Sequence, residues 1–537
     1  MSLFDDVIDT EHILITDAAK DLSISSATIR NWVKTGLLEA SDHGCISRKS
    51  LNALKIKLAT GTKLSSRANK SRKCEHNYEE VSQLIIEALA NSLFNETIVT
   101  SYEKSLSESY RNKEGIYYTS PSIVVDMLRN AHVDATSSFL DPCCGCGNFI
   151  MEAIAKGIRV ENIYGFDTDP TAIRIAKQRI YATTGEEAHN VVCADFLRIA
   201  KSLHRTFDLI YTNPPWGKKI PRSEKEAFAA CYQTGKSTDT CSLFFFAAQE
   251  LLSTNGSLGF LLPESILNIA TFQSLRAFLL SFSILEIKNY GNPFEGIQSK
   301  AYSIIVKKCT PTKEHQIHCI DRGEYFRAQT SFLSNPKQIF NVWVTPDEQA
   351  VIDKLFQIPH CLLEDNADWA LGVVTGDNKT RCRTKPAEGL VPIYRGKDIS
   401  PTGLASPSLY IERELSNCQQ VAPLALYYAD EKIIYRFISD KLVFYCDTNK
   451  SLVLNSANIL VLRRSLPFSS HQLTSLLNSK ILNWLFAKVF HTHKILRADL
   501  EALPLYTSWY KNGLFDEELF LEQNNIVYKN GTFRIKS

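Results

Sequence analysis

Asn213-Pro214-Pro215-Trp216 closes the apolar run FDLIYT. An amide, two prolines and an indole at a strand end make a rigid ligand-facing turn. Proline fixes φ and supplies no N–H, so it cannot compete for nearby acceptors, and the indole offers a flat apolar face. Upstream, three acids stand where strands are expected to stop: Asp141 after FL, Asp167 after IYGF, and Asp195 after VVCA. Gly145 and Gly147, in CCGCGNF after Asp141, allow backbone to approach a ligand, and the helix expected beyond them aims its first amides the same way. Asp167, ending the second strand, can accept both hydroxyls of a ribose. Asp195 can take an adenine amino group and Phe196 its ring. Each residue also has a plain reading as a strand-end cap or core side chain. A dinucleotide fingerprint would need a third glycine where the chain has Ile150, which argues against NAD.

The elements that must position these residues follow from patterning. From 139 to about 308, strand-like runs (NIYGFD, FDLIYT, GSLGFLLP) alternate with helical segments (PTAIRIAKQRIYATTG, DTCSLFFFAAQELLS). That alternation predicts a doubly wound α/β domain with a mostly parallel sheet, whose ligands sit at the carboxyl ends of its strands. Residues 79–110 show helical spacing. Residues 13–58 read as a small winged helix-turn-helix: a capped helix, a second helix SATIRNWVKTG ended by Gly36, a hairpin around Asp42-His43-Gly44, and a third helix. A second helix of this kind enters the major groove, which would place Ser26, Thr28, Arg30 and Asn31 near DNA. The alternative is a docking module whose Ile29 and Trp32 only form its core. Residues 59–76 carry five cations among small polar residues, as a solvated linker or a phosphate-attracting one would. After 345, short mixed strands followed by helices at 471–490 predict a separate α+β domain.

Composition narrows the classes. At 537 residues the chain is expected to hold two to four domains. Its 44% hydrophobic and 22% charged residues fit a globular protein, and a net charge of +2 leaves nucleic-acid binding to local basic patches. The fourteen cysteines form no even framework, and the opening MSLFDDVIDTEH lacks a basic and apolar leader pattern. The expectation is a reduced, cytoplasmic protein without a membrane span. Cysteines 143, 144 and 146 have no second pair at zinc spacing, so no metal is expected. HQIHC, residues 315–319, reads as a strand with exposed histidines.

Taken in order, GIYYTSPSIVVDML, FLDPCCGCGNF, GFDTDP, CADF, DLIYTNPPW, LLSTNGSLGFLLPESIL and NPFEGIQSKAYSIIV resemble the motifs of gamma-class, TaqI-like N6-adenine DNA methyltransferases. The likeness covers about residues 113–505. GVVTGDNKT, GLVPIYRGKDISP and LLNSKILNWLF resemble the target-recognition domain of that family, and AAKDLSISSATIRNWVKTGLL, within residues 13–58, resembles MerR/excisionase-type heads. The resemblance implies a helix-turn-helix head (1–58), a basic linker (59–76), a helical connector (77–112) and a Rossmann-like methyltransferase domain (113–310). A linker (311–344) and a target-recognition domain (345–537) would follow. It implies S-adenosyl-L-methionine as cofactor, double-stranded DNA as substrate and the option of a separately encoded restriction endonuclease. Thr119, Asp141, Cys143 and Gly145 would face the methionine part, Asp167 the ribose, and Asp195 with Phe196 the adenine. The Asn213 oxygen and Pro214 carbonyl would accept the hydrogens of the target amino group. Pro215 would stiffen the turn, Trp216 would stack on an extruded base and Phe294 would cover its other face. Tyr394, Arg395 and Lys397 would contact DNA, or else belong to a purely structural hairpin. Trp at the fourth motif position is commoner in cytosine-N4 enzymes, and the motif also serves RNA and glutamine-amide methylation. A further alternative is a DNA-binding regulator with a non-catalytic methyltransferase scaffold. TPDEQAVIDK lacks the spacing of a nuclease site.

Overall fold

The structure, a computed structural model, describes residues 12–22, 29–30, 32–33, 38–41, 45–59, 96–106, 115–463 and 466–536. Ser26, Thr28, Asn31 and the basic stretch 60–76 lie outside the described residues. The chain divides into two units, residues 1–202 with 211–221, and residues 203–210 with 222–537.

In the first unit, β1 (His12–Leu14), α1 (Ile15–Asp21), β2 (Ala40–Ser41), β3 (Cys45–Ser47) and α2 (Arg48–Ala59) surround one small core. Ala18, Leu22, Ile29, Trp32, Ile46 and Leu51 fill it, while Arg30 is exposed. Strands β2 and β3 pair antiparallel, with β1 on the other edge of β3. The helix α3 (Glu96–Ser105) follows within the expected connector, and Glu96 accepts from Arg179 Nε at 2.8 Å.

Next come α4 (Pro121–Leu128), β4 (Phe139–Asp141), α5 (Asn148–Ala155), β5 (Ile163–Asp167), α6 (Pro170–Thr184), β6 (Val191–Cys193) and the short α7 (Phe196–Ile199). The local signals are strong here. Asp169 caps α6 by accepting from the Thr171 and Ala172 amides, Pro170 opens it, and Gly185 ends it in the left-handed region. Strands β4, β5 and β6 lie side by side and parallel, with Asp141 opposite Gly165 and Asp167 opposite Cys193. Parallel alignment therefore brings Asp141, Asp167 and Asp195 to one carboxyl edge. Strand β7 (Phe207–Thr212) is divided: its first four residues group with the second unit and Tyr211–Thr212 with the first.

The second unit departs from the expected parallel sheet. Strands β8 (Leu252–Pro263), β9 (Ser283–Asn289) and β10 (Ala301–Lys307) are antiparallel neighbours in the order β9-β10-β8. No crossover helix separates β9 from β10, so they pair as a hairpin. The stretch 311–344, expected to be a linker, instead holds β11 (Gln316–Ile320), parallel to β9, and β12 (Glu324–Ala328), antiparallel to β11. The HQIHC histidines are not exposed as expected. His318 is half-buried between Glu286 (3.1 Å) and Glu324 (2.8 Å) and stacks on Phe326. Helix α8 (Thr240–Glu250) is buried along its length from Thr240 to Ala248, as its unbroken apolar run demands. TPDEQAVIDK forms α9 (Pro346–Gln357), opened by a capping box between Thr345 and Glu348.

Beyond it, β13 (Ala367–Leu371), β14 (Leu390–Tyr394), β15 (Ile399–Ser400), β16 (Gly403–Leu404), β17 (Tyr410–Glu412), β18 (Lys432–Arg436), β19 (Phe444–Asp447), β20 (Leu452–Val453) and β21 (Ala457–Leu462) follow. They build a four-stranded sheet, β13-β21-β18-β19, and a three-stranded one, β17-β14-β20. Ile393, Ile411, Tyr427, Ile434, Val453 and Ile459 share one core. Inside it Lys432 meets Asp447 at 2.9 Å, both side chains fully buried, and Lys432 also donates to the Tyr427 carbonyl. Helices α10 (Ser470–Leu477) and α11 (Lys480–Val489) follow, with Ser469 and Ser479 as N-caps. Among the described residues no helix is long and apolar enough to cross a membrane.

Candidate active site

Asn213 leaves the end of β7 with its side-chain amide fixed: Nδ2 donates to the Tyr117 carbonyl at 2.6 Å. Its Oδ1 is buried and accepts no hydrogen bond. An unmatched buried acceptor costs about 1–3 kcal/mol, so the amide is held at a cost, with its oxygen reserved. Along the turn burial alternates: Pro214 and Trp216 are buried, while Asn213 and Pro215 are half-exposed. The turn is therefore at a surface and not sealed inside the core. Trp216 is 8% exposed, its ring 6.0 Å from that of Tyr117, and its amide donates to the Gly115 carbonyl. Gly115 has φ +71°, and a Cβ there would lie 2.6 Å from the Trp216 carbonyl oxygen. Only glycine fits that approach.

One residue earlier, Thr212 donates its hydroxyl to Asp141 Oδ1 at 2.6 Å. The Cys143 amide donates to the same oxygen at 3.1 Å, while Asp141 Oδ2 is buried with no partner. Burial pushes the Asp141 carboxyl up to about 7, against the lowering effect of the Thr212 and Cys143 hydrogen bonds. Asp167 accepts from the Gly145 amide at 2.9 Å and the Asp169 amide at 2.9 Å. Burial raises it too, opposed by those two bonds. The glycine loop thus hangs between the two acids. Gly145 has φ +49°, and a Cβ there would lie 2.9 Å from the Tyr118 ring. Thr119 is buried, and its carbonyl accepts from Asn148. Burial raises the Cys143, Cys144 and Cys146 thiols well above their ordinary value, which keeps them protonated.

Two sequence-derived assignments sit differently from expectation. Asp195 is the N-cap of α7, accepting from Leu197, and lies 3.4 Å from Arg198. Phe196 is 1% exposed and packs its ring 6.1 Å from Phe166, so it is a core side chain with little surface left for a ligand. Phe294 belongs to the second unit, buried in the turn between β9 and β10. Arg395 donates to both oxygens of Asp398, at 3.0 and 3.2 Å, and to Ser408. Its guanidinium is held within its own turn. Lys397 is exposed and Tyr394 half-buried.

Sequence reasoning missed Tyr117, Thr212 and Gly115. Thr212 could have been found, because it directly precedes Asn213 on the strand that also faces Asp141. Tyr117 acts through its backbone carbonyl, and no side-chain pattern announces that.

Two family descriptions match the chain: "N-6 DNA Methylase" over residues 95–348 and "TaqI-like C-terminal specificity domain" over residues 391–505. Among curated relatives, the type II methyltransferase M.VspI of Vibrio sp. (strain 343) is 38% identical over 398 residues, 74% of this chain and 98% of the relative. The modification methylase CviBIII of Paramecium bursaria Chlorella virus NC1A is 26% identical over 223 residues, 41% of this chain and 56% of the relative. Among solved structures, a nuclease-deletion mutant of the type ISP restriction-modification enzyme LlaGI with a DNA substrate mimic aligns with a TM-score of 0.49 at 14% identity. That alignment covers 95% of this chain and 67% of the other. With a relative this similar covered almost end to end, the chain belongs to the N-6 DNA methylase family and carries a TaqI-like C-terminal specificity domain.

Proposed function

We propose that this sequence-specific DNA adenine methyltransferase positions the N6 amino group of an extruded adenine with Asn213 and its turn. The observation that carries the reading is the orphaned Asn213 oxygen, held in place through the Tyr117 carbonyl. An exocyclic nitrogen is a poor nucleophile because its lone pair is delocalised into the ring. Asn213 Oδ1 and the Pro214 carbonyl accept its two hydrogens, favouring a pyramidal nitrogen with a directed lone pair. Pro214 and Pro215 keep the turn rigid and donate nothing to those acceptors. Trp216 stacks on the base, at roughly 1–3 kcal/mol, which offsets the cost of extrusion. Positioning and electrostatics do most of the catalysis, with no strong base required.

The residues at the carboxyl edge fit S-adenosyl-L-methionine. Asp141 presents a buried oxygen without a donor, and the Gly145 loop runs between Asp141 and Asp167 with its left-handed glycine packed on the Tyr118 ring. When bound, that cofactor supplies an electrophilic methyl group on a sulfonium. Asp141, with Thr119, Cys143 and Gly145, would hold the methionine end, the buried Asp141 oxygen being the acceptor available to its ammonium. Asp167 would hold the ribose hydroxyls. Asp195 would bound the adenine, with Phe196 packed behind it on Phe166 as part of the core.

We also assign the first 58 residues to a helix-turn-helix head, supported by the buried Ile29 and Trp32 beside an exposed Arg30. A gel-shift with that segment that finds no discrete DNA sequence would remove this assignment. A separately encoded restriction endonuclease would share the target, and cleavage at that target in unmethylated DNA by extracts of the source cells tests it.

Asn213→Ala is expected to lower methyl transfer at least about 10²-fold, the scale for removing one preorganised polar group, while cofactor binding by calorimetry stays within twofold. Wild-type transfer by that variant would overturn the mechanism. Modified-base sequencing of DNA from cells expressing the protein identifies the base and its context.

A further inference from the structure

The specificity region contains a cavity of about 1240 Å³ that the catalytic site does not use. It is lined by the apolar Val391, Pro392 and Leu452 on β14 and β20 and by Gln419, Gln420, Asn449 and Arg413, with Glu414 and Lys450 also on its surface. Gln419, Gln420, Asn449 and Arg413 are all exposed. Amides and a guanidinium are the groups that read base edges: Asn and Gln pair bidentately with adenine, and Arg with guanine.

A cationic loop borders this groove. Lys379, Arg381, Arg383 and Lys385 are all exposed, and among the described residues none of them forms an ion pair with a carboxylate. Backbone pairing fixes where the loop lies, since Val374 bonds with Gln420 and Arg383 with Tyr410. Burial raises the Cys418 thiol, and the Arg381 charge opposes that rise. Cations without a carboxylate partner at the rim of a polar groove, of which Arg383 also donates to the Thr380 carbonyl at 2.7 Å, match a polyanion whose phosphates are read by charge and whose bases are read by hydrogen bonds.

We infer that the groove lined by Gln419, Gln420 and Asn449 receives the base edges of duplex DNA, while Lys379, Arg381, Arg383 and Lys385 grip the adjacent phosphates. The inference rests on the proposed methyltransferase function and divides its labour, with amides setting the target sequence and rim cations setting affinity.

The test uses the full chain with Gln419→Ala, Gln420→Ala or Asn449→Ala, and separately an Arg381→Ala, Arg383→Ala double variant. Methylated adenines are read by sequencing a random plasmid library, and binding to sheared genomic DNA is followed from 50 to 200 mM salt, a range over which phosphate contacts are strongly screened. At least one amide variant is expected to relax the methylated motif at a defined position, losing roughly 5- to 100-fold of discrimination, with an unchanged salt slope. The cation variant keeps the motif and lowers the slope by about one per charge removed. Gln420→Glu preserves shape and is expected to shift the preferred base, which separates readout from a folding defect seen by thermal melting. An unaltered motif in all amide variants, or a wild-type slope in the cation variant, would overturn the inference. If the wild type methylates no adenine, the functional reading fails, while the salt-slope arm still decides whether the rim grips DNA.

Discussion

The two oxygens of Asp141 make the pH dependence of cofactor binding calculable. Oδ1 is held by Thr212 and Cys143, whereas Oδ2 is buried without a donor. Burial raises this carboxyl to about 7, so in the empty site it is largely protonated below neutral pH. A cofactor ammonium pairs with the ionised form, so binding must expel the proton. Affinity then follows the ionised fraction, which at a value of about 7 is about 0.76 at pH 7.5 and about 0.03 at pH 5.5. The sign is clear: a carboxyl raised in the free state and lowered in the complex weakens binding as pH falls. Calorimetric titration of S-adenosylmethionine should show the dissociation constant rising about 25-fold between those pH values, with a proton released on binding near neutrality. Asp141→Asn cannot titrate. It should bind more weakly at pH 7.5 and lose most of the slope. A flat wild-type profile, or an Asp141→Asn profile as steep as wild type, would refute the assignment of Oδ2 to the cofactor.

Trp216→Ala should lower kcat/KM roughly 5- to 100-fold by losing the stacking surface, whereas Trp216→Phe keeps most of it; steady-state kinetics on duplexes with paired and mismatched targets would show partial rescue by the mismatch. Gly145→Ala places a methyl 2.9 Å from the Tyr118 ring at φ +49°, so cofactor affinity should fall at least tenfold by calorimetry while the far-ultraviolet circular dichroism spectrum is retained. Lys432→Met removes the ammonium that pairs with the fully buried Asp447, a loss of about 3–5 kcal/mol that denaturant titration should detect at neutral pH and that should shrink when Asp447→Asn is added.

Where the sequence carried local signals, the first unit was readable. Asp169-Pro170 and Gly185 bracket a helix by capping rules alone, and the strand-end acids announce a carboxyl edge because parallel alignment gives them no other place. Asn213 was also legible, since an amide before two prolines at a strand end has few structural uses. The partners that orient it were not. Tyr117 contributes a carbonyl and Gly115 only its lack of a side chain, and neither leaves a pattern. The antiparallel run β8 to β10 was missed because apolar strands read alike in either direction, and only the short connection between β9 and β10 distinguishes them. The Arg395–Asp398 pair closes the first turn of a short 3-10 helix, Gly396–Asp398, which the stretch YRGKD does not announce.

The five residues from Gly115 to Thr119 precede every strand of the parallel layer, yet they supply the anchor for the Asn213 amide, the seat for the Trp216 backbone and the Tyr118 ring against the glycine loop. The Asn213 turn is thus clasped by a ribbon that the layer itself does not contain. A protein trimmed to begin at Phe139 would retain β4 through β7 with all their acids and still lack the segment that orients the Asn213 amide.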